Sequence, residues 1–475
     1  MVAQTNPTNG VTPSNGNGPI QKMPVRGSGR YSGDPTADWI RSSGARYLRV
    51  YWHDYSSSAR CRVIPIRRIW EHFEKSQDAA DPKPFMVSVA KPSLGMLAND
   101  HMAPGVTGTG VYMLQTDWAT LRHGPAPEHI SCRGYFHEED GSKAILCPRG
   151  ILSRVVNKAA AAGLTFLVGF EVEFTVLERT QSIDKFRMLS TDGHGWSQAR
   201  ALATWGAEGS VGTVMDEILS ALEKADISVE QFHTESAPGQ YEIVLSPQTP
   251  LEACDTLLHT RQVVESAAAR HGLRVTLHPR PFPNLVGNGA HTHMSITSAD
   301  GDLPRVYERF YGGILSHFRA VFALTNSHPT SYERMVDSLW SGGRWVTWGV
   351  HNKEAPLRQC KDSHWEVKVM DGIANPYLAL AALIAAGSAG AELTWRDCAV
   401  DPAKLSSVER AALGITTQLP RTLDEALEAL EGDDVMVESL GREIVERYVT
   451  VKKAEMKLLE SIPEDMRRTW VFERY

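Results

Sequence analysis

The segment TFLVGFEVEFTVL, residues 165–177, is the part of the sequence that decides the fold. Its Val, Phe and Thr content predicts a long β-strand. Residues two apart on a strand face the same side, so Glu171 and Glu173 project together. A carboxylate among apolar neighbours is costly to bury, and a bound cation would remove that cost. Taken alone, such a pair is more often the solvated face of an edge strand, and both interpretations stay open at this point.

Strands and helices alternate on both sides of this segment. Hydrophobic periodicity predicts helices over residues 151–163, 211–225 and 251–271, and strands over residues 240–245 and 291–296. This alternation indicates an α/β catalytic region of about 300 residues. It is followed by a largely helical C-terminal part.

The rest of the chain predicts two further parts. Residues 1–30 are rich in Asn, Gly, Pro and Thr, and we expect a disordered tail there. Residues 31–145 are expected to form a small strand-rich domain that opens with a hairpin over residues 47–65. The catalytic domain then spans residues 146–475.

Composition excludes several classes of protein. The 475 residues carry 49 Lys and Arg against 56 Asp and Glu, a net charge of -7 that offers no attraction to nucleic acid or anionic lipid. The longest apolar run is too short to span a membrane, and no secretory signal is evident. The six cysteines include no CxxC pair and are expected to be reduced thiols. We therefore expect a cytoplasmic protein with neither nucleic acid nor membrane as a partner.

Two more segments carry acidic or histidine pairs. HTESAPGQYEI, residues 233–243, has a Pro-Gly turn that could fold Glu235 toward Glu242. GNGAHTHMS, residues 287–295, puts His291 and His293 on one strand face, a spacing suited to paired ligands. Each has a plainer alternative, a polar hairpin for the first and coincidence for the second.

A fourth segment, WEVKVMDG, residues 365–372, places Glu366 and Lys368 on one strand face. Alone, this pair could be an ordinary surface ion pair. Five glutamates and one histidine from these four segments suffice for two hard divalent ions such as Mg²⁺ or Mn²⁺. Cationic side chains downstream make a phosphoryl-transfer site plausible; they are Arg334, Lys353, Arg358 and Lys368.

In order and wording these segments resemble the glutamine synthetase family. The resemblance runs from about residue 47 to residue 475, through VYWHDYSS, CPRGIL, GFEVEF, ESAPGQYE, GNGAHTHMS, TSYERM, WEVKVMDG and NPYLALAALIAAG. It implies an α/β (α+β) fold, with a small N-terminal β-grasp-like domain and a large catalytic domain built on a curved antiparallel sheet with helices. It also implies ATP as co-substrate, two or more Mg²⁺ or Mn²⁺ ions, glutamate and a small amine as substrates, and a ring-shaped homo-oligomer, decamer to dodecamer.

The resemblance assigns roles to individual positions. The metal facing glutamate and ammonia would be held by Glu173, Glu235 and Glu242, and the metal polarising the transferred phosphate by Glu171, His291 and Glu366. The nucleotide side would be formed by His293, Ser295, Lys353 and Arg358. The substrate would be bound by Gly287, Gly289, Arg334, Trp340 and Lys368. Three residues would be catalytic: Arg334, Arg358, and Asp54 reaching into a neighbouring subunit's site to help deprotonate the amine.

Some positions differ from the family pattern, and these differences bear on which amine receives the glutamyl group. Ammonia-using members carry a glutamate six residues after the arginine matching Arg334, and here that position is Trp340, which cannot act as a base but can enclose an amine. A shift of register would let Asp337 serve instead. Four further positions also differ from the pattern: Val286 replaces an asparagine, and Lys353, His364 and Lys368 replace arginines. Lysine keeps the positive charge but lacks the planar guanidinium group that binds phosphate through two hydrogen bonds.

Three hypotheses follow from these matches and departures. The first is an ATP-dependent ligase that forms a γ-glutamyl amide with an organic amine. Three tryptophans weakly favour an apolar or aromatic amine, namely Trp340, Trp345 and Trp348. Their alternative role is packing at subunit interfaces. The second is an ammonia-dependent glutamine synthetase. The third is a non-catalytic scaffold. The absence of some metal ligands would have favoured this hypothesis, but the sequence retains all six.

Overall fold

Two β-sheets organise the chain, one in each predicted domain. The computed structural model describes residues 35–77, 84–181, 185–189, 194–202 and 211–475. The predicted disordered tail over residues 1–30 lies outside these residues.

The first sheet belongs to the N-terminal part. Its strands run in the order β2-β1-β5-β4-β3, with β1 and β5 parallel and the other neighbours antiparallel; they are β1 Tyr47–His53, β2 Ala59–Pro65, β3 Met86–Ala90, β4 Val111–His123 and β5 His129–His137. The predicted hairpin over residues 47–65 is therefore confirmed as β1 and β2.

The second sheet carries the acidic segments. Its order is β12-β13-β14-β11-β6-β9-β8, with β7 and β10 also pairing β6; the strands are β6 Leu164–Arg179, β7 Phe186–Met188, β8 Val229–Thr234, β9 Gln240–Leu245, β10 Leu273–Thr276, β11 Thr292–Ser298, β12 Trp348–Val350, β13 Leu357–Lys361 and β14 His364–Val367. Apart from the parallel pair β12 and β13, the pairings are antiparallel. The antiparallel sheet expected from the resemblance is confirmed, and β6 lies inside it.

Helices flank both sheets. Within the described residues they are α1 Pro35–Ser42, α2 Ile66–Gln77, α3 Pro148–Ala161, α4 Val211–Lys224, α5 Pro250–Arg270, α6 Pro304–Ser316, α7 Phe318–Thr325, α8 Ser331–Arg334, α9 Pro376–Ala389, α10 Ser407–Ala412, α11 Leu423–Glu431, α12 Asp434–Leu440, α13 Arg442–Glu460 and α14 Glu464–Phe472. The predicted helices at 151–163, 211–225 and 251–271 correspond to α3, α4 and α5. Among these helices, none combines the length and apolar character needed to cross a membrane.

Helix α9 is buried in the core because its own side chains, mostly Ala and Leu, are apolar on all of its faces. It begins where Asn375 accepts hydrogen bonds from the N–H groups of Tyr377 and Leu378. Its Tyr377 hydroxyl donates to Asp255 of α5 at 2.6 Å, and Asp255 also binds Arg149 of α3 at 2.8 Å. This buried network joins three helices behind the second sheet. The core is continuous across both sheets.

Candidate active site

A cavity of about 570 Å³ opens over the second sheet. All six predicted metal ligands line its wall, namely Glu171, Glu173, Glu235, Glu242, His291 and Glu366. The four segments that the sequence separates by up to two hundred residues therefore meet at one place.

Strand register brings these ligands together. Glu173 of β6 lies directly opposite Glu242 of β9, and His233 of β8 lies opposite Glu242 on the other side. Farther along the sheet, His293 of β11 faces Glu366 of β14. Neighbouring strands are only about 4.8 Å apart. The solvated edge-strand interpretation of the β6 glutamates is wrong, because β6 is paired on both sides and its Glu173 is 6% exposed.

The first group of ligands joins Glu171, His291 and Glu366. His291 Nδ1 lies 2.5 Å from Glu171 Oε2 and 3.3 Å from Glu366 Oε1. Glu366 also pairs with Arg358, and with Lys368 Nζ at 3.3 Å. Burial alone would raise the pKa of Glu366, but Lys368 and His291 lower it to about 2. Glu366 and Lys368 are 1% and 3% exposed, so the surface ion-pair alternative is wrong.

The second group joins Glu173, Glu235 and Glu242, with His233 added by the structure. His233 Nε2 lies 3.0 Å from Glu242 Oε1, and its Nδ1 lies 3.9 Å from Glu235 Oε1. Burial raises the pKa of Glu242, and the nearby charges of Glu171 and Glu173 raise it further. Burial and Glu173 also raise the pKa of Glu235. These carboxylates therefore repel one another when the protein is metal-free.

This donor set fits divalent cations. Ligand atoms of Glu171, Glu173, Glu242 and His291 all lie within 4.8 Å of one another, as do those of His233, Glu235 and Glu242. Carboxylate oxygens with few nitrogens are the ligands that Mg²⁺ and Mn²⁺ prefer. The raised pKa values mark carboxylates whose charge a cation would neutralise. The residues present therefore fit the metals that the resemblance implies.

Arg334 lies beside the metal ligands and lines the cavity, and it is buried. Its Nη2 lies 3.0 Å from His291 Nε2, and its Nη1 donates to the Lys368 carbonyl at 3.2 Å. Gly289 donates its N–H to Glu173 Oε2 at 2.8 Å, and a Cβ at this position would lie 2.6 Å from His291 Nε2. A side chain at Gly287, which also lines the cavity, would overlap the Pro279 carbonyl. Both glycines thus allow the backbone to approach the ligands closely.

The predicted nucleotide residues are only partly brought together. Arg358 and Lys353 line the cavity, whereas Ser295 is not part of its wall. His293 Nε2 lies 3.1 Å from Glu171 Oε1, and its Nδ1 lies 2.8 Å from His364 Nε2. Burial alone would lower the pKa of His293, but hydrogen bonds with Cys360 and Glu171 raise it to about 10. His293 is not part of the cavity wall either, and the partners that the structure gives it are Glu171, Cys360 and His364, so its nucleotide role stays a prediction.

Asp54 lies apart from the cavity. It is fully buried in the turn between β1 and β2, where its carboxylate accepts hydrogen bonds from Ser56, Ser58 and Arg60. To reach a neighbouring subunit, the side chain would have to leave these partners. The structure does not place Asp54 at a site, and its catalytic role stays a prediction.

Part of the cavity wall is apolar and aromatic. Trp340 is 54% exposed and lines it with Leu339, Leu285 and Val286. The backbone N–H of Trp340 donates to both carboxylate oxygens of Glu354 at 3.2 Å, and this contact fixes the backbone at this point.

The alternative base and the other two tryptophans lie elsewhere. Asp337 is not part of the cavity wall, and its Oδ1 accepts the Arg344 N–H at 3.0 Å. Trp345 stacks on Arg410, and Trp348 packs on Trp365 with ring centroids 4.9 Å apart. These contacts are intramolecular, so neither tryptophan supports an apolar acceptor. The sequence did not single out Trp196, which lines the cavity with Lys353 Nζ 5.0 Å from its ring.

Residues 145–471 match the family described as glutamine synthetase, catalytic domain. The chain belongs to the glutamine synthetase family. Protein fluG of Emericella nidulans is 37% identical over an alignment of 455 residues that covers 94% of this chain and 50% of that protein, so the chain spans about half the length of that relative. Gamma-glutamylpolyamine synthetase GlnA3 of Streptomyces coelicolor is 33% identical over 349 residues, covering 69% of this chain and 73% of that protein.

A solved structure supports the same assignment. GmaS in complex with ADP superimposes with a TM-score of 0.75 at 26% identity, covering 91% of this chain and 98% of that one. Together with the family match, this confirms the predicted fold class and an ATP-dependent ligase as the type of enzyme. ATP and divalent metals are used generally in the glutamine synthetase family.

Proposed function

We propose that this glutamine synthetase family protein joins the γ-carboxylate of glutamate, or of a related acid, to an organic amine through an acyl phosphate. The observation that carries the proposal is that Trp340 and Leu339 line the same cavity as the six predicted metal ligands. The described segment 337–341 adds no carboxylate to the cavity wall. An indole ring excludes water and stacks on an amine with an apolar or cationic body.

The charges in the cavity suit ATP and a dicarboxylic acid. Five glutamates lie on one wall, and cationic groups lie beside them; these are Arg280, Arg334, Lys353, Arg358 and Lys368. Divalent ions held by Glu171, His291 and Glu366 and by Glu173, Glu235 and Glu242 would neutralise the negative charge that develops during phosphoryl transfer. Arg358 and Lys353 would hold the transferred phosphate, and Arg334 the acid's carboxylate.

The reaction takes place in two steps, phosphorylation of the acid and transfer of its acyl group to the amine. The γ-carboxylate oxygen attacks the terminal phosphorus of ATP, and ADP leaves. The amine nitrogen then attacks the acyl carbon, phosphate leaves with the C–O electron pair, and the nitrogen gives up one proton to solvent. Holding both partners in the cavity lowers the entropic cost of each step.

Comparison with GlnA3 supports an organic acceptor, since its name states that it ligates polyamines. The second candidate, an ammonia-dependent enzyme, would need a base beside the acceptor in the cavity. Asp337 would have to break its hydrogen bond to Arg344 to serve. The third candidate, a non-catalytic scaffold, is not favoured, because all six predicted metal ligands line the same cavity.

The test begins with ATP, Mg²⁺ or Mn²⁺, glutamate and hydroxylamine, followed by a colour assay for the hydroxamate. Hydroxylamine intercepts the acyl phosphate without regard to the natural acceptor, so a positive result establishes the first step. A panel of alkyl, aromatic and polyamine acceptors and ammonium, with products identified by mass, then identifies the acceptor. If neither hydroxamate nor amide forms with any acid, the enzymatic proposal is wrong.

Three further features of the protein stay proposals. We propose a domain boundary near residue 145, a ring-shaped homo-oligomer of ten to twelve subunits, and a cytoplasmic location. The mass in solution, measured by light scattering, tests the assembly.

A further inference from the structure

A second cluster, with softer ligands, lies next to the carboxylates. His293 of β11, Cys360 of β13 and His364 of β14 place one ligand atom each within 4.8 Å of the others. These three strands are adjacent in the sheet. The pairing of β13 with β14 shifts register between Gln359 and Lys361, so Cys360 sits at an irregularity. Such bulges commonly re-aim a side chain.

The spacing of these atoms suits a tetrahedral ion. Zinc binds imidazole nitrogen at about 2.0–2.1 Å and thiolate sulfur at about 2.3 Å, which separates neighbouring ligand atoms by roughly 3.3–3.6 Å. The nitrogens of His293 and His364 are 2.8 Å apart in the metal-free protein. These two nitrogens would therefore need to separate by less than an ångström to hold the ion, and the ligand atom of Cys360 lies within 4.8 Å of those of both histidines.

The surroundings of His293 add a second, independent observation. Its Nδ1 faces His364, and its Nε2 lies 3.1 Å from Glu171 Oε1. A histidine that binds a metal through one nitrogen usually places the other against a carboxylate, which orients the ring. Two imidazoles and a thiol select Zn²⁺ over Mg²⁺, because Mg²⁺ prefers oxygen ligands. The three side chains are half-buried, so the ion can reach them.

We propose that His293, Cys360 and His364 form an inhibitory Zn²⁺ site, distinct from the carboxylate sites for Mg²⁺ or Mn²⁺. On binding, the Cys360 thiol loses its proton and the fourth position is left to water or a phosphate oxygen. Zinc at His293 Nδ1 adds a divalent charge next to Glu171, a ligand of the neighbouring metal. It therefore interferes with nucleotide and metal binding on that side of the cavity. Only the inhibition rests on the proposed function, whereas zinc binding does not.

Binding is tested first, on the full-length protein in excess Mg²⁺. Co²⁺ replaces zinc in such sites and gives a thiolate-to-cobalt charge-transfer band, which added Zn²⁺ should abolish. The variants are Cys360→Ser and His364→Gln, and Cys61→Ser is the matched control because Cys61 is also a free, half-buried cysteine. We expect the band in wild type and Cys61→Ser, its absence in Cys360→Ser, and zinc affinity lowered at least about tenfold in both site variants. An unchanged band and unchanged zinc affinity in Cys360→Ser would overturn the site.

Inhibition is tested next, with buffered zinc in the amide-forming assay. Cys360→Ser should keep its Mg²⁺-dependent turnover and need at least about tenfold more zinc for half-inhibition than wild type or Cys61→Ser. Equal zinc sensitivity in all three proteins would overturn the inhibitory role. If the cobalt band depends on Cys360 but wild type makes no amide, the zinc site stands and the proposed function fails.

Discussion

Replacing Glu366 by glutamine should destabilise the metal-free protein, because its carboxylate is the buried counter-charge to Lys368, Arg358 and His291. These surroundings lower the pKa of Glu366 from an ordinary 4.5 to about 2. Each pKa unit corresponds to about 1.4 kcal/mol, so the ionised carboxylate contributes about 3 kcal/mol at neutral pH. Breaking a buried ion pair costs a similar amount, roughly 3–5 kcal/mol.

The pH dependence of this contribution has a definite sign. Because the pKa is lower in the folded protein, the stabilisation is fully present above about pH 4.5 and is lost as pH falls toward 2. The difference between wild type and Glu366→Gln should therefore narrow in acid. Urea unfolding in chelator, at pH 7 and at a series of lower pH values, measures it.

The matched control is Glu178→Gln, which removes the ion pair between Glu178 and Arg187 on the same sheet. Arg187 is largely exposed, and exposed ion pairs contribute at most about 1 kcal/mol. A Glu366→Gln protein that is no less stable at pH 7 than Glu178→Gln would refute the reasoning about the buried charges.

Three other changes have expected outcomes. Trp340→Glu should raise the preference for ammonium over an organic amine by at least about tenfold, measured as the ratio of kcat/KM values, and an unchanged ratio contradicts the role of the indole. Gly289→Ala should weaken Mg²⁺ binding by about 10–100-fold, measured by calorimetry, because its Cβ would displace His291; wild-type affinity would show that the site accommodates the methyl group. Mg²⁺ at about 100 times its Kd should add about 2.7 kcal/mol to the stability of wild type in urea, and no gain would argue against these ligands.

The sequence predicted that the six candidate metal ligands meet at one place, because each pair follows a local rule. Alternation on a strand puts Glu171 and Glu173 on one face, and β6 preserves that alternation. The same rule failed in part for Lys368, since β14 ends at Val367 and Lys368 follows the strand. Burial of its pair with Glu366 depends on the packing around it, which local pattern does not reveal.

The residues that the sequence missed depend on register between distant strands. His233 stands in a quoted segment, two residues before Glu235, yet its role follows from lying opposite Glu242 on β9. Cys360 meets His293 through an irregular pairing of β13. Trp196 lies before α4, in a part of the sequence that shows no periodic pattern.

Ser295 and Asp54 were candidates by resemblance alone, and neither of them lines the cavity. Ser295 lies two residues beyond His293 on β11, farther from the carboxylates. Asp54 is enclosed by partners from its own hairpin. Matching a residue to a motif says nothing about which hydrogen bonds enclose it in the folded chain.

Competition between acceptors tests the proposed function most directly. The enzyme is given ATP, Mg²⁺, glutamate, and equal concentrations of ammonium and an organic amine that the panel has shown to react, and the two amides are quantified together by mass. We predict that the γ-glutamyl amide of the organic amine is the major product. Glutamine as the major product would contradict the proposal and identify an ammonia-dependent enzyme.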